Sequence, residues 1–245
     1  MDPLLLAPAF LIGALLYASV GHGGASAYLA IMSLAAVAPA EMRPLALALN
    51  LLVSGIAAVQ YARAGHFDGR LLWPFVVVSV PCAYLGGLIE LPGAWYRLAI
   101  GLVLAWAAVS LWIGARRADE AARGRPSLPV AMSAGGVLGL ASGLTGVGGG
   151  IFLSPLLMLA GWANARTTAA VSACFIWLNS AAGLLAQAGR VPALLDELAW
   201  TGPAVVVGGL VGAWIGARRA PPQLLRRLLA LVLAVAAAKM IGTAA

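Results

Sequence analysis

Two clusters of glycines are the first residues of this sequence that could do chemistry. Gly146-Val147-Gly148-Gly149-Gly150 lies in the second half of the chain, and Gly21-His22-Gly23-Gly24 lies in the first. Where a helix is interrupted, the backbone amides that start the next helix carry a partial positive charge and form a ready anion site. Glycine suits such a break because a side chain would block close approach and forbid positive φ angles. The clusters therefore predict anion binding.

His22 makes the two clusters chemically different, because Val147 occupies its place in the second one. The residues on either side are apolar, and a histidine deep in a membrane is a functional-site hypothesis by default. His22 could bind an anion when protonated or accept a coupling proton, because imidazole titrates near neutral pH. The alternative is a neutral ring that satisfies a backbone carbonyl in the turn, and both interpretations stay open here.

Two amide side chains, Asn50 and Asn179, are further candidates in segments that we expect to be equivalent. Buried amides usually hold helices together, for about 1 kcal/mol or less, so a structural role is the alternative. Arg43 and Arg166, at the mouths of these segments, could steer anions, but we interpret them as interfacial anchors. The predicted substrate-binding residues are Gly21, His22, Gly23, Gly24, Asn50, Thr145, Gly146, Gly148, Gly149, Gly150 and Asn179.

The elements that position these residues must be membrane helices. Of the 245 residues, 62% are hydrophobic and 9% are charged, and the mean hydropathy is +0.98. Soluble domains carry about 25% charged residues. The apolar runs are continuous and do not alternate in ten-residue segments, so they favour helices over a barrel. We predict an all-α integral membrane protein.

Each glycine cluster lies in an uncharged run that is too long for one crossing. Residues 126–165 are 40 residues without a formal charge, and residues 3–40 are 38 interrupted only by His22. A 40-residue helix would be about 60 Å long, roughly twice the hydrocarbon core. The chain must therefore cross twice, or enter and double back, with the glycines at the break. Backbone unpaired at such a depth is tolerated only when it is buried in protein or lines a cavity.

Charge-free runs predict ten apolar segments, near residues 4–20, 25–40, 44–62, 71–89, 95–114, 129–145, 150–163, 166–188, 198–217 and 223–243. Glycine and proline landmarks recur in order at nearly constant separations, which predicts a duplication. We assign a first transmembrane repeat to residues 1–115, a basic linker to 116–128 and a second transmembrane repeat to 129–245. Five crossings in each half, or three with a re-entrant hairpin, make the repeats inverted about a pseudo-two-fold axis in the membrane plane.

Arginine and lysine residues predict the orientation. Eleven of them fall on the side of the linker and four on the other. The positive-inside bias then places the linker in the cytoplasm and both termini outside. The formal net charge of +7 thus reflects topology and does not indicate a nucleic-acid partner.

Several function classes are excluded by what the sequence lacks. It has no Walker-type phosphate loop, no His-Glu-x-x-His pattern and no cluster of cysteine, histidine and carboxylate residues with metal-ligand spacing. Carboxylates within the apolar runs are nearly nil, so converging acid and base groups are missing. We expect no enzyme activity, no metal and no cofactor.

The glycine motif resembles that of a known family. Thr145-Gly146-Val147-Gly148-Gly149-Gly150-Ile151-Phe152, followed by Pro155, is similar to the glycine signature of the sulfite exporter TauE/SafE family. Two halves with early glycine breaks and polar third helices, joined by a basic linker, extend the resemblance over essentially the whole chain. The first half departs from the pattern, with Gly21-His22-Gly23-Gly24-Ala25 where the family more often has a third glycine.

The resemblance implies a bacterial inner-membrane permease that exports a small sulfur-containing or organic anion, such as sulfite, a sulfonate or a sulfoacid. Our mechanism is a hypothesis: the anion binds between the two glycine breaks, rocking of the two repeats exposes it alternately to each side, and His22 is the expected site of proton coupling. The expected partners are this anion and the lipid bilayer, and self-association into a homodimer stays open. The alternatives are a passive anion channel and a non-transporting membrane scaffold protein.

Overall fold

The computed structural model of the chain describes residues 3–90, 92–114 and 124–219, together with single positions at 227, 230, 234, 237, 238, 241 and 242. These residues form helices and no strands, so the all-α class is confirmed. Nine of the ten predicted segments correspond to described helices. Most of the tenth segment and most of the linker lie outside the described residues.

The helices are α1 (Pro3–Ala18), α2 (Ala25–Leu34), α3 (Pro39–Arg63), α4 (Gly69–Leu88), α5 (Gly93–Gly114), α6 (Leu128–Thr145), α7 (Gly150–Leu159), α8 (Ala165–Leu185) and α9 (Leu195–Arg218). A 3-10 turn (Ala188–Leu194) precedes α9. Six helices of the described chain, α3, α4, α5, α6, α8 and α9, are long and apolar enough to cross a membrane. The protein is therefore a multi-pass membrane protein.

Local signals in the sequence set several helix limits. The Asp68 carboxylate accepts two first-turn amides of α4 at 3.0 and 3.1 Å, and the Asn164 side chain accepts one of α8 at 2.9 Å. Both are side-chain N-caps, which replace the hydrogen bonds that the first turn of a helix lacks. Gly146 ends α6 in the left-handed conformation, with φ at 78°.

Two helix pairs pack closely through glycines, and each pair joins the two halves of the chain. α6 lies along α4, and α9 lies along α1. A Cβ atom at Gly139 of α6 would stand 2.2 Å from the Ser79 carbonyl oxygen, and one at Gly212 of α9 would stand 2.1 Å from that of Leu15. Small residues allow such approach, which drives helix association in membranes. The first helix of each half thus packs on the fourth helix of the other.

The centre of the molecule is the antiparallel pair of α3 and α8. Leu47 lies against Gly183, and Gly55 lies against the Trp177 ring, so residue numbers increase in opposite directions along the two helices. α9 packs on α3 as α4 packs on α8. This exchanged packing is the pattern that a two-fold relation between the halves would produce. The inverted orientation about an axis in the membrane plane stays a prediction.

Candidate functional site

Two short helices begin half-way along the two central ones. α2 and α7 have 10 residues each, which at 1.5 Å per residue is about 15 Å. The Ala25 amide at the start of α2 donates to Asn50 Oδ1 at 3.2 Å, and Asn50 is the twelfth residue of α3. Gly148, just before α7, lies against Ile176, the twelfth residue of α8. Neither short helix is long enough to cross a bilayer, so full crossings by the second and seventh segments are excluded.

The structure brings the two glycine clusters together. Residues 35–38 connect α2 to the start of α3, and residues 160–164 connect α7 to the start of α8. Because α3 and α8 are antiparallel, α2 and α7 run away from the centre in opposite directions. Their N-termini lie at the same height along the two central helices. All residues of both clusters are buried. The amides that could bind an anion are therefore enclosed by protein in this conformation.

Close packing on Asn50 explains why one glycine of each cluster cannot carry a side chain. Gly148 has a φ of +78°, and a Cβ atom there would stand 2.2 Å from Asn50 Nδ2. At Gly23 the backbone is not left-handed, yet a Cβ atom would stand 2.0 Å from Asn50 Oδ1. Both values are far below a van der Waals contact, so Asn50 is held between the two clusters.

The Asn50 amide links both breaks to α8 through hydrogen bonds. Its oxygen accepts from Ala25, and its nitrogen donates to Ser180 Oγ at 2.9 Å and makes a longer contact of 3.5 Å with the Val147 carbonyl. The side chain is 1% exposed. In this conformation Asn50 therefore connects the two clusters directly.

Asn179 has a different environment from Asn50. Its amide donates to the Phe175 carbonyl of its own helix at 2.8 Å and takes no part in the hydrogen bonds of Asn50. Counted from the helix starts, Ile176 of α8 stands where α3 has Asn50. The sequence analysis paired the two asparagines at a separation of 129 residues. They do not occupy equivalent positions in α3 and α8. Ser180, which the sequence did not single out, supplies the polar contact from α8.

His22 is the first group in a series of buried hydrogen bonds that continues through two hydroxyl groups. Its Nε2 atom lies 2.7 Å from Ser154 Oγ in α7, and Ser154 Oγ donates to Ser172 Oγ in α8 at 2.8 Å. The imidazole is 3% exposed, and the Tyr17 ring lies beside it with a centroid separation of 6.2 Å. This series of hydrogen bonds connects the first break to α7 and α8, the two helices that follow the second break. Sequence reasoning missed Ser154, although its place in the second turn of the helix after a break was an available signal.

Thr145 and Arg43 surround the beginning of the second break. The Thr145 hydroxyl donates to a carbonyl of its own helix, and its carbonyl accepts from the Tyr96 hydroxyl at 3.1 Å. The Arg43 guanidinium donates to the Gly86 and Ile89 carbonyls at 2.6 and 2.8 Å. Arg43 is 5% exposed, so its side chain is packed inside the protein at the end of α4.

An apolar groove of about 510 Å³ lies apart from the breaks, between α3, α8 and the turn that precedes α9. It is lined by Leu51, Ala181, Leu184, Leu185, Ala188, Pro192 and Leu195. A purely apolar lining does not suit an anion, because it offers no group to replace the hydration shell. Among the described residues, no three histidine, cysteine or carboxylate side chains lie together as metal ligands would.

Comparisons with known proteins agree in covering both halves of the chain. The profile of the family described as "Sulfite exporter TauE/SafE" matches residues 5–240. A protein of Sinorhizobium fredii (strain NBRC 101917 / NGR234), described as "Probable membrane transporter protein y4hK", is 38% identical over 239 residues, which are 96% of this chain and 97% of that protein. No solved structure matches the chain.

Proposed function

The chain belongs to the sulfite exporter TauE/SafE family, and on that premise we propose that it exports a small sulfur-containing or organic anion, such as sulfite, a sulfonate or a sulfoacid. Membership of a transporter family favours transport over catalysis. One observation carries the proposal: the N-termini of α2 and α7 meet at Asn50, so two sets of helix-start amides lie close together inside the protein. Opposed half-helix N-termini suit a negatively charged substrate group.

The transport step in this proposal is alternating access. Both clusters are buried, so the conformation corresponds to an occluded state. Two exposed ion pairs lie at opposite ends of α4, and each links α4 to a later segment of the chain. Arg125, in the segment that leads into α6, pairs with Asp68 at the start of α4 at 2.8 Å, and Arg190 pairs with Glu90 just beyond the end of α4. Rocking of one half against the other would break one pair at a time and open the clusters to one side at a time.

His22 is the proposed proton-coupling residue. Its imidazole is buried in the first break, and the Ser154 and Ser172 hydroxyls offer a path by which a proton can leave or arrive. Protonation would add a positive charge next to the bound anion, so proton and anion binding would favour each other. The partners are thus the anion and the bilayer, in a bacterial inner membrane with the linker in the cytoplasm. A C-terminal reporter that is active only in the cytoplasm should be inactive.

The proposal is tested by flux of sulfite, methanesulfonate and acetate into proteoliposomes. We expect saturable flux that responds to an imposed pH gradient. Replacement of Gly148 and Gly149 by valine should abolish it, because each valine would meet neighbours below 3 Å where a Cβ atom already does. Gly189→Val is the control, since nothing lies within 4 Å of a Cβ atom there.

Three results would contradict this assignment in different ways. Flux that never saturates and ignores the pH gradient would identify a passive anion channel on the same scaffold. Flux of none of the tested anions would favour a non-transporting membrane scaffold. Full activity of the Gly148→Val and Gly149→Val double variant would place the substrate site elsewhere in the molecule.

A further inference from the structure

Arg43 is a cation buried inside a membrane-spanning helix. It lies in the apolar span Ala40–Arg63, five residues into α3, and only 5% of its surface is exposed. A charged group at such a place is costly unless it is paired, and buried charges in membrane proteins mark substrate pathways. The hydrogen-bond partners of Arg43 in the described chain are carbonyl oxygens and include no carboxylate. Glu90, next to Ile89 in the chain, forms its ion pair with Arg190 and favours the charge of Arg43 only from a distance.

The two carbonyls use only part of the guanidinium. Gly86 and Ile89 belong to the end of α4, where the helix dipole is negative and partly offsets the charge of Arg43. A guanidinium has five N–H donors, and these contacts engage one on each terminal nitrogen. The Nε atom of Arg43 is buried and has no hydrogen-bond partner. A positive charge and at least one donor are left for another group.

This donor lies at the second glycine break. The Arg43 Cγ atom is 2.9 Å from the place of a Gly146 Cβ atom, and Nε is two bonds from Cγ. Gly146 is also where α6 ends, so Arg43 faces the irregular backbone that leads to α7. Counted from the helix starts, the residue of α8 that corresponds to Arg43 is Ala169, which packs against Gly21 in the first break. The positive charge is therefore present at one break only.

We propose that Arg43 is the fixed positive charge that binds the transported anion. The inference rests on the proposed function and assigns it a substrate class: an oxyanion that accepts two hydrogen bonds side by side, such as a sulfonate, sulfite or a carboxylate. A planar guanidinium binds such a group in a bidentate manner, through Nε and one terminal nitrogen, and a lysine cannot reproduce this geometry. The helix-start amides of α7 complete the site. His22 then adjusts the charge from the first break without having to supply it.

The test measures thermal unfolding of the purified full-length protein in detergent, with sodium sulfite replacing sodium chloride at constant ionic strength. A ligand specific for the folded state raises the apparent melting temperature by mass action. Wild type should show a sulfite-dependent rise. Arg43→Lys should need at least about tenfold more sulfite for the same rise, because it keeps the charge and loses the bidentate contact. Arg43→Gln should show no rise.

Arg166→Gln is the matched control, because Arg166 stands in the first turn of α8 and is exposed. It should respond to sulfite as wild type does. A purely structural role for Arg43, as a cap of α4, would lower the melting temperature of Arg43→Lys without sulfite and leave its sulfite dependence unchanged, and this result would overturn the inference. Arg43→Lys decides the question even where Arg43→Gln does not fold.

The same measurement separates this inference from the proposed function. A wild-type protein that sulfite stabilises, together with an Arg43→Lys variant of equal sulfite dependence, removes Arg43 from the site and leaves anion transport standing. A wild-type protein that neither sulfite, methanesulfonate nor acetate stabilises contradicts both proposals at once.

Discussion

Asn50 holds the two glycine clusters in one place. Its amide bonds to the first residue of α2 and to Ser180 and approaches the Val147 carbonyl, while Gly23 and Gly148 close on it from two sides. These contacts stabilise the described conformation. Under the proposed alternating access, opening to either side would lengthen some of them, so Asn50 would report which conformation the protein occupies.

Asn50→Ala should lower the free energy of unfolding by about 1–3 kcal/mol, because it leaves the Ala25 amide and the Ser180 hydroxyl buried without this partner. Asn179→Ala loses a hydrogen bond within its own helix and should cost about 1 kcal/mol or less. Thermal unfolding in detergent compares the two. Equal losses would mean that the contacts of Asn50 between the breaks add nothing to stability.

His22→Gln should keep a side chain that can hydrogen-bond to Ser154 while removing the titratable ring. We expect slower flux whose pH dependence is flattened, because the variant lacks the group that can gain or lose a proton. His66→Gln is the control, because it removes the other histidine of the chain, which lies in the loop between α3 and α4, and it should retain a pH-dependent flux. A His22→Gln protein with wild-type flux and pH profile would show that the ring is structural.

At the scale of residues, the sequence predicted the groups that differ in type from their surroundings and missed those that do not. A histidine and glycine clusters in apolar runs are conspicuous. Ser154 and Ser180 are ordinary residues for membrane helices, and they gain a role only because His22 and Asn50 reach them across 132 and 130 residues of chain. Arg43 was visible, but its burial depends on the packing of the end of α4, which no local pattern reports.

At the scale of elements, the glycine breaks were predictable and the lengths of the helices after them were not. The second and seventh segments were expected to reach residues 40 and 163, whereas α2 and α7 end at Leu34 and Leu159. Positive φ angles end them, 56° at Ala36 and 68° at Gly161. The apolar run continues through both turns, so hydropathy contains no signal of the ends.

Gly148→Ala should disrupt the meeting of α2 and α7. A left-handed φ costs an alanine about 1–2 kcal/mol, and its Cβ atom would also overlap Asn50 Nδ2, Ile176 and Ser180. Gly65→Ala separates the two effects, because Gly65 has a φ of +80° but nothing within 4 Å of a Cβ atom. We expect flux to be lost in Gly148→Ala and kept in Gly65→Ala. Loss of flux in both variants would show that backbone strain is sufficient, and full flux in both would show that the contact with Asn50 is not needed.

At the scale of the molecule, the two halves are interleaved. α1 packs on α9 and α6 on α4, so the first helix of each half has its main packing partner in the other half. The ion pairs Asp68–Arg125 and Glu90–Arg190 join the halves at opposite ends of α4. Exposed pairs of this kind contribute about 1 kcal/mol or less each. They are therefore weak enough to break and re-form during transport.

Covalent cross-links at these two positions should stop transport. Cysteine pairs at 68 and 125, and separately at 90 and 190, would be joined by a short bifunctional thiol reagent in a protein whose own Cys82 and Cys174 are replaced by alanine. Alternating access needs each end to open, so we expect either cross-link to halt flux and a cleavable reagent to restore it. Each cysteine pair without the reagent is the control. Flux that survives both cross-links would indicate a pathway that needs no movement between the halves.

The interleaved packing also sets the order of events during synthesis. Leu15 of α1 packs against Gly212 of α9, which is made roughly 200 residues later in the chain. At about 5–20 residues per second, this separation corresponds to about 10–40 s of translation. The face of α1 that α9 covers therefore lacks this partner until the last described helix is in the membrane, whereas α4 and α6, or α3 and α8, can pack earlier.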